Sequence, residues 1–118
     1  MSITIYHNPR CSKSRQTLAL LQDRGLEPTV VQYLENPPDT GTLRRLAVQL
    51  GVSARELLRD NEAKYQELGL ADDALSEDDV FTAIAAHPEL LQRPIVVANE
   101  QARFGRPPES VLEIIEPA

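Results

Sequence analysis

The chain holds a single cysteine, Cys11, in the segment Tyr6-His7-Asn8-Pro9-Arg10-Cys11-Ser12-Lys13-Ser14-Arg15. Asn8-Pro9 reads as a turn, and helical spacing starts at Ser12, so the sulfur falls where a strand gives way to a helix. The first turn of a helix carries unpaired N–H groups and a partial positive charge, which favour an anion. Arg10, Lys13 and Arg15 add cationic side chains. Such settings bring a thiol pKa down from about 8.5 into a range of roughly 3.5–7.5, which makes Cys11 a candidate nucleophile. Ser14, three residues on, is spaced to donate its hydroxyl to the sulfur, and the loop N–H groups suit a small anion. The competing reading is a buried structural cysteine, the usual role of a lone thiol. Neighbours of the types Arg, Ser, Lys and Pro are not the apolar company such a site keeps. His7 is a candidate to orient or deprotonate Cys11, or else to hydrogen-bond the loop backbone. His87, beside Pro88, reads as a helix end.

One cysteine excludes an internal disulfide and a thiolate-rich zinc site. Two histidines without H-E-x-x-H spacing give a catalytic metal no support. A redox cycle through Cys11 must therefore take its second thiol from another molecule. The net charge of −6 argues against nucleic-acid binding. The acids gather in segments such as Glu67 to Asp79, while the cysteine loop is locally positive, an arrangement suited to a small anionic substrate. Apolar runs such as Ile95-Val96-Val97-Ala98 are far shorter than the roughly 20 residues that span a bilayer. The N-terminus reads as a strand rather than a signal peptide, so a cytoplasmic protein is expected. Nothing in the sequence suggests an obligate oligomer, and a monomer is expected.

The elements that position the cysteine follow from periodicity. Ile3 and Ile5 alternate with Thr4 and Tyr6 as a strand, and Leu18, Leu20 and Leu21 fall on a helix stopped at Gly25. Val30-Val31-Gln32-Tyr33 makes a second strand. Leu43, Leu46, Ala47 and Leu50 mark an amphipathic helix ending at Gly51. Ser53-Ala54-Arg55-Glu56 is a capping-box pattern that predicts a helix through Leu57 and Leu58. Ser76-Glu77-Asp78-Asp79 opens another through Val80, Phe81, Ile84 and Ala85. Ile95-Val96-Val97, a turn at Asn99-Glu100 and Ala102-Arg103-Phe104 form a hairpin. Pro107-Pro108-Glu109 opens a last helix with Val111, Leu112, Ile114 and Ile115. The order βαβ, helices, ββα is that of an α/β thioredoxin-like fold with a mixed four-stranded sheet. It predicts one domain over 1–118, with a helical insertion at about 39–88 between the two halves.

The run His7-Asn8-Pro9-x-Cys11-x-x-Ser14-Arg15, with Thr17 and Leu18, resembles the active-site loop of glutaredoxin-dependent arsenate reductases. Arg55-Glu56-Leu57-Leu58-Arg59, Tyr65 and Glu67-Leu68-Gly69-Leu70 look like the family's central helices. Arg93-Pro94-Ile95-Val96-Val97 and Arg106-Pro107 look like its C-terminal strand region. The resemblance implies that Cys11 attacks arsenate while Arg59, Arg93 and Arg106 surround the oxyanion, their guanidinium forks offering planar paired donors. It further implies glutathione as co-substrate and glutaredoxin as partner, both supplying the external thiols, with no bound cofactor. Pro94 takes the place of the cis-proline that faces the cysteine in thioredoxin-like folds. One departure is visible: Ser12-Lys13 stands where the best-known members carry Gly-Thr, so the anion meets a longer cationic side chain. A monothiol oxidoreductase acting on glutathione mixed disulfides is the alternative enzyme. An Spx-like protein-binding regulator is the alternative from another class, although Ser14 stands where its second cysteine would be.

Overall fold

Alternating apolar residues set the first strand, and the polar segments around it set its ends. In the computed structural model, which describes residues 2–115, strand β1 is Ile3–His7 and helix α1 is Ser12–Asp23. Strand β2 is Thr29–Gln32, β3 is Ile95–Ala98 and β4 is Gln101–Phe104. They form one four-stranded sheet in the order β2-β1-β3-β4. β1 pairs parallel with β2 and antiparallel with β3, and β3 pairs antiparallel with β4, so the sheet is mixed. This is the expected thioredoxin-like α/β arrangement. The β3–β4 turn places Asn99 and Glu100 at φ of 54° and 62°, the left-handed pair that a two-residue hairpin requires.

The chain divides into two compact units. The first is built from the residues up to Asn36 and those from Arg93 on, and contains the whole sheet. Its core joins Ile3, Ile5, Leu21, Val96, Ala98, Val111, Ile114 and Ile115, with Leu18 and Leu20 of α1 at the margin. Each buried Val, Leu or Ile side chain among them stabilises by roughly 1.5–3 kcal/mol. The predicted last helix is split: Pro108–Val111 is a 3-10 turn and only Leu112–Ile115 is α-helical, as α5. Asn99 Nδ2 donates to the Ile114 carbonyl at 2.9 Å and ties that end to the hairpin.

The second unit runs Pro37–Gln92, slightly wider than the insertion predicted from the sequence. Helix α2, Thr40–Leu50, starts where Asp39 Oδ1 accepts the Thr42 N–H at 2.8 Å and stops at Gly51 with φ 74°. The helix predicted from Ser53 does not form. Ser53 makes no capping bond, and Ala54–Leu57 is a 3-10 turn whose first N–H donates to the Glu77 carboxylate at 2.8 Å. The chain then extends because Leu58 pairs with Leu91, and the Arg59 and Gln92 N–H groups donate to Leu90 and Leu57 carbonyls, each at 2.7 Å. Backbone pairing between distant segments thus overrides a local capping pattern. A short helix α3, Ala63–Glu67, follows in the stretch around Tyr65 that the resemblance assigns to a central helix, although periodicity gave no sign of it. Helix α4, Glu77–Ala86, opens on a complete capping box between Ser76 and Asp79 and ends at His87. Leu43, Leu57, Ile84 and Leu90 are fully buried in this unit.

Candidate active site

The cysteine loop is held by its own backbone. The Cys11 N–H donates to the Asn8 carbonyl at 3.0 Å, and Asn8 Oδ1 accepts the Arg10 N–H at 3.0 Å, so the turn written by Asn8-Pro9 is closed twice. Cys11 is the N-cap of α1 with extended backbone (φ −94°, ψ 123°). Its sulfur therefore faces the free N–H groups of the first turn. It is buried, with 7% of its surface exposed. Burial pushes the thiol pKa up, but the Ser14 N–H, the Arg93 charge, the Lys13 N–H and a hydrogen bond from the Arg93 side chain outweigh it. The net result lies below the ordinary thiol value of 9.0. The burial is that of a structural cysteine; the surroundings are those of a thiolate.

The source of the charge differs from the sequence reading. Arg10 and Lys13 are exposed, and Arg15 turns away to donate from Nη1 to the Pro9 carbonyl at 2.9 Å. The cations at the sulfur are instead Arg93, just before β3, and Arg106, just after β4, two of the three arginines that the resemblance names. Arg93 precedes Ile95 across the cis bond Arg93–Pro94, as the resemblance implies, and Arg106 precedes a second cis bond, Arg106–Pro107, that was not expected. Arg106 Nη2 lies 3.8 Å from Cys11 Sγ, and its Nε donates to the Arg93 carbonyl at 2.7 Å. Arg93 Nε and Nη1 are buried with no hydrogen-bond partner. Buried donors are nearly always paired, so two open ones on the guanidinium beside the thiol leave room for an acceptor.

Ser14 and His7 also sit differently from the sequence reading. The Ser14 hydroxyl lies 2.6 Å from His7 Nδ1 and accepts the Asn8 N–H at 3.0 Å. It is the Ser14 backbone N–H, not the hydroxyl, that holds the sulfur. His7 partners Ser14 and braces the loop from beneath. Burial, and secondarily the Arg15 charge, lower its pKa from 6.5, so the ring is neutral at pH 7. Among the described residues the buried polar side chains are His7, Ser14 and Thr17. All three flank the cysteine, and Thr17 Oγ1 donates to the Lys13 carbonyl at 2.8 Å. Sequence reasoning treated Thr17 only as part of a motif.

Cys11, His7, Ser14, Arg93 and Arg106 all belong to the unit that carries the sheet. Arg59 belongs to the inserted unit, where its Nη1 pairs with Glu62 Oε2 at 3.1 Å. The described residues contain no cluster of His, Cys, Asp and Glu able to hold a metal ion, and no helix among them is long and apolar enough to cross a membrane.

Residues 6–114 match the ArsC family. The chain is 60% identical over 114 residues to an uncharacterised protein of Escherichia coli K12, YfgD, with 96% of each covered. It is 47% identical over 117 residues to an arsenate reductase of the same strain, spanning 99% of this chain and 83% of that one. The solved structure of an arsenate reductase from Vibrio cholerae superposes with a TM-score of 0.95 at 56% identity, over 97% of this chain and 98% of that chain.

Proposed function

The chain belongs to the ArsC family, and from that premise we propose that it reduces arsenate to arsenite through the Cys11 thiolate, in the cytoplasm, as a single-domain monomer. The observation that supports this best is the pair of buried, unpartnered Arg93 donors beside a thiol whose pKa is lowered by its surroundings. A tetrahedral oxyanion supplies the acceptors those donors lack.

In the proposed cycle the Cys11 thiolate attacks arsenic, a sulfur–arsenic bond forms and an arsenate oxygen leaves as water. Arg93 and Arg106 neutralise the oxyanion. Arg59 keeps the third anion-binding role that the resemblance assigns it. Glutathione thiolate then attacks the Cys11 sulfur. The sulfur–arsenic pair stays on arsenic, which leaves as arsenite, and the two sulfurs become a mixed disulfide. Glutaredoxin accepts the glutathionyl group and returns Cys11 as thiolate. Arsenic gains two electrons and two thiols lose them. Both of the outside thiols are required, because the chain has no second cysteine.

His7 and Ser14 act here as positioning residues. The neutral ring fixes the Ser14 side chain, Ser14 fixes Asn8, and Asn8 closes the turn that presents the sulfur. Lys13 lengthens the cationic rim where other members carry a smaller residue.

The test is a coupled assay with arsenate, glutathione, glutaredoxin, glutathione reductase and NADPH. Arsenate-dependent NADPH loss that disappears with Cys11→Ser is the expected result. Turnover that persists in that variant, or none in the wild type with arsenate present, overturns the reading.

A further inference from the structure

Gly105 follows β4 directly and precedes Arg106. Gly51 is needed for its positive φ, and a side chain there would meet open space. Gly105 presents the opposite case. A methyl group in its place would overlap Thr17 Oγ1 and lie 2.6 Å from Pro94 Cγ and 3.1 Å from Thr17 Cγ2. Real carbon contacts do not come this close, so one of the three elements would have to move. None moves freely: Thr17 is fully buried and bonded to the Lys13 carbonyl in the first turn of α1, and Pro94 is a buried ring. The Gly105 N–H also donates to the Pro94 carbonyl at 2.9 Å, which draws the two strands' ends together.

The residues on either side give this close approach its consequence. Pro94 follows Arg93, Gly105 precedes Arg106, Arg106 Nε binds the Arg93 carbonyl at 2.7 Å, and Arg106 Nη2 reaches to 3.8 Å from the sulfur. Thr17 stands two turns into the helix whose start carries Cys11. We propose that Gly105 is a positioning residue for the oxyanion site: the missing side chain lets β4 close on Thr17 and Pro94, and that closure sets both guanidiniums against Cys11. A single methyl group at 105 pries Arg93 and Arg106 off the sulfur without removing either. The inference rests on the functional reading above, in which these three groups act on the anion.

The experiment is Gly105→Ala, with two readouts. The pH dependence of Cys11 alkylation by iodoacetamide needs no arsenate, so it separates failure of this inference from failure of the reductase reading. Its midpoint is expected to rise by about half a unit to one unit as the cations withdraw. In the coupled assay the arsenate KM is expected to rise about ten- to a hundredfold, the worth of one hydrogen bond to a charged group, and kcat to change less. Thr17→Ala combined with Gly105→Ala removes two of the three close contacts and is expected to recover most of both effects. A folded Gly105→Ala protein with unchanged alkylation midpoint and unchanged KM overturns the proposal. If the single variant does not fold, the double variant is read in its place. Failure of the double variant to fold, or a double variant no better than the single, also overturns it.

Discussion

Arg93→Met separates activity from stability in a way that only a site awaiting an acceptor explains. Two buried donors of Arg93 have no partner. An unsatisfied buried donor costs about 1–3 kcal/mol, so methionine of similar length relieves about 2–6 kcal/mol. Against this stands the attraction between the guanidinium and the thiolate. An opposite charge within hydrogen-bonding reach moves a pKa by about 1–3 units, and each unit is 1.36 kcal/mol, which gives about 1.4–4 kcal/mol. The two contributions nearly cancel wherever the sulfur is ionised, above its titration midpoint. At a pH low enough to protonate the sulfur the attraction is gone and only the relief remains. The variant is therefore expected to match the wild type in urea denaturation above the wild-type Cys11 alkylation midpoint and to exceed it below that midpoint. Its Cys11 alkylation midpoint should rise by about 1–3 units. The coupled assay should show kcat/KM for arsenate reduced about 10²–10³-fold, as when one aimed donor is removed from a developing anion. A variant that is less stable at every pH, with an unchanged alkylation midpoint, refutes the reasoning, because Arg93 would then be an ordinary structural residue.

Ser14→Ala leaves His7 Nδ1 and the Asn8 N–H without their partner, and is expected to cost about 2–4 kcal/mol in urea denaturation. The same variant should shift the Cys11 alkylation midpoint little, since the backbone N–H of residue 14 is retained. His7 has its pKa lowered in the folded state, so the unfolded chain binds the proton first as pH falls below 6.5. Native stability is thus unaffected by His7 above that pH and is lost on acidification toward the folded value; thermal melts should show wild type losing more between pH 7.5 and 5.5 than His7→Gln. Glu62→Gln removes the carboxylate that pairs with Arg59 at 3.1 Å and, for a pair of this exposure, is expected to cost up to about 1 kcal/mol in urea denaturation.

Periodicity and caps decided much of this protein without any tertiary information. The Ile3/Ile5 alternation, the Gly51 stop, the Ser76 capping box and the Asn99-Glu100 turn are short-range signals, and the residues that carry them interact with neighbours along the chain. The helix predicted at Ser53 failed for the complementary reason. Its capping pattern is also local, but Leu58 pairs with Leu91 and the Glu77 carboxylate takes the Ala54 N–H, neither of which a window of sequence contains.

The same division runs through the candidate site. A turn at Asn8-Pro9, a helix starting at Ser12 and a thiol between them, placed where a helix start favours an anion, were determined by the sequence alone. Which groups stabilise it was decided only by the tertiary structure. The nearby cations Arg10, Lys13 and Arg15 turn outward or to the loop backbone, while Arg93 and Arg106 arrive from the far end of the chain. Ser14 offers its N–H to the sulfur and its hydroxyl to His7, a choice that depends on where β1 places the ring. Gly105 had only a weak sequence signal, a glycine between a strand and an Arg-Pro-Pro run. The reason for it is the space left between Thr17 and Pro94, and spacing across a folded core exists only once distant segments have packed.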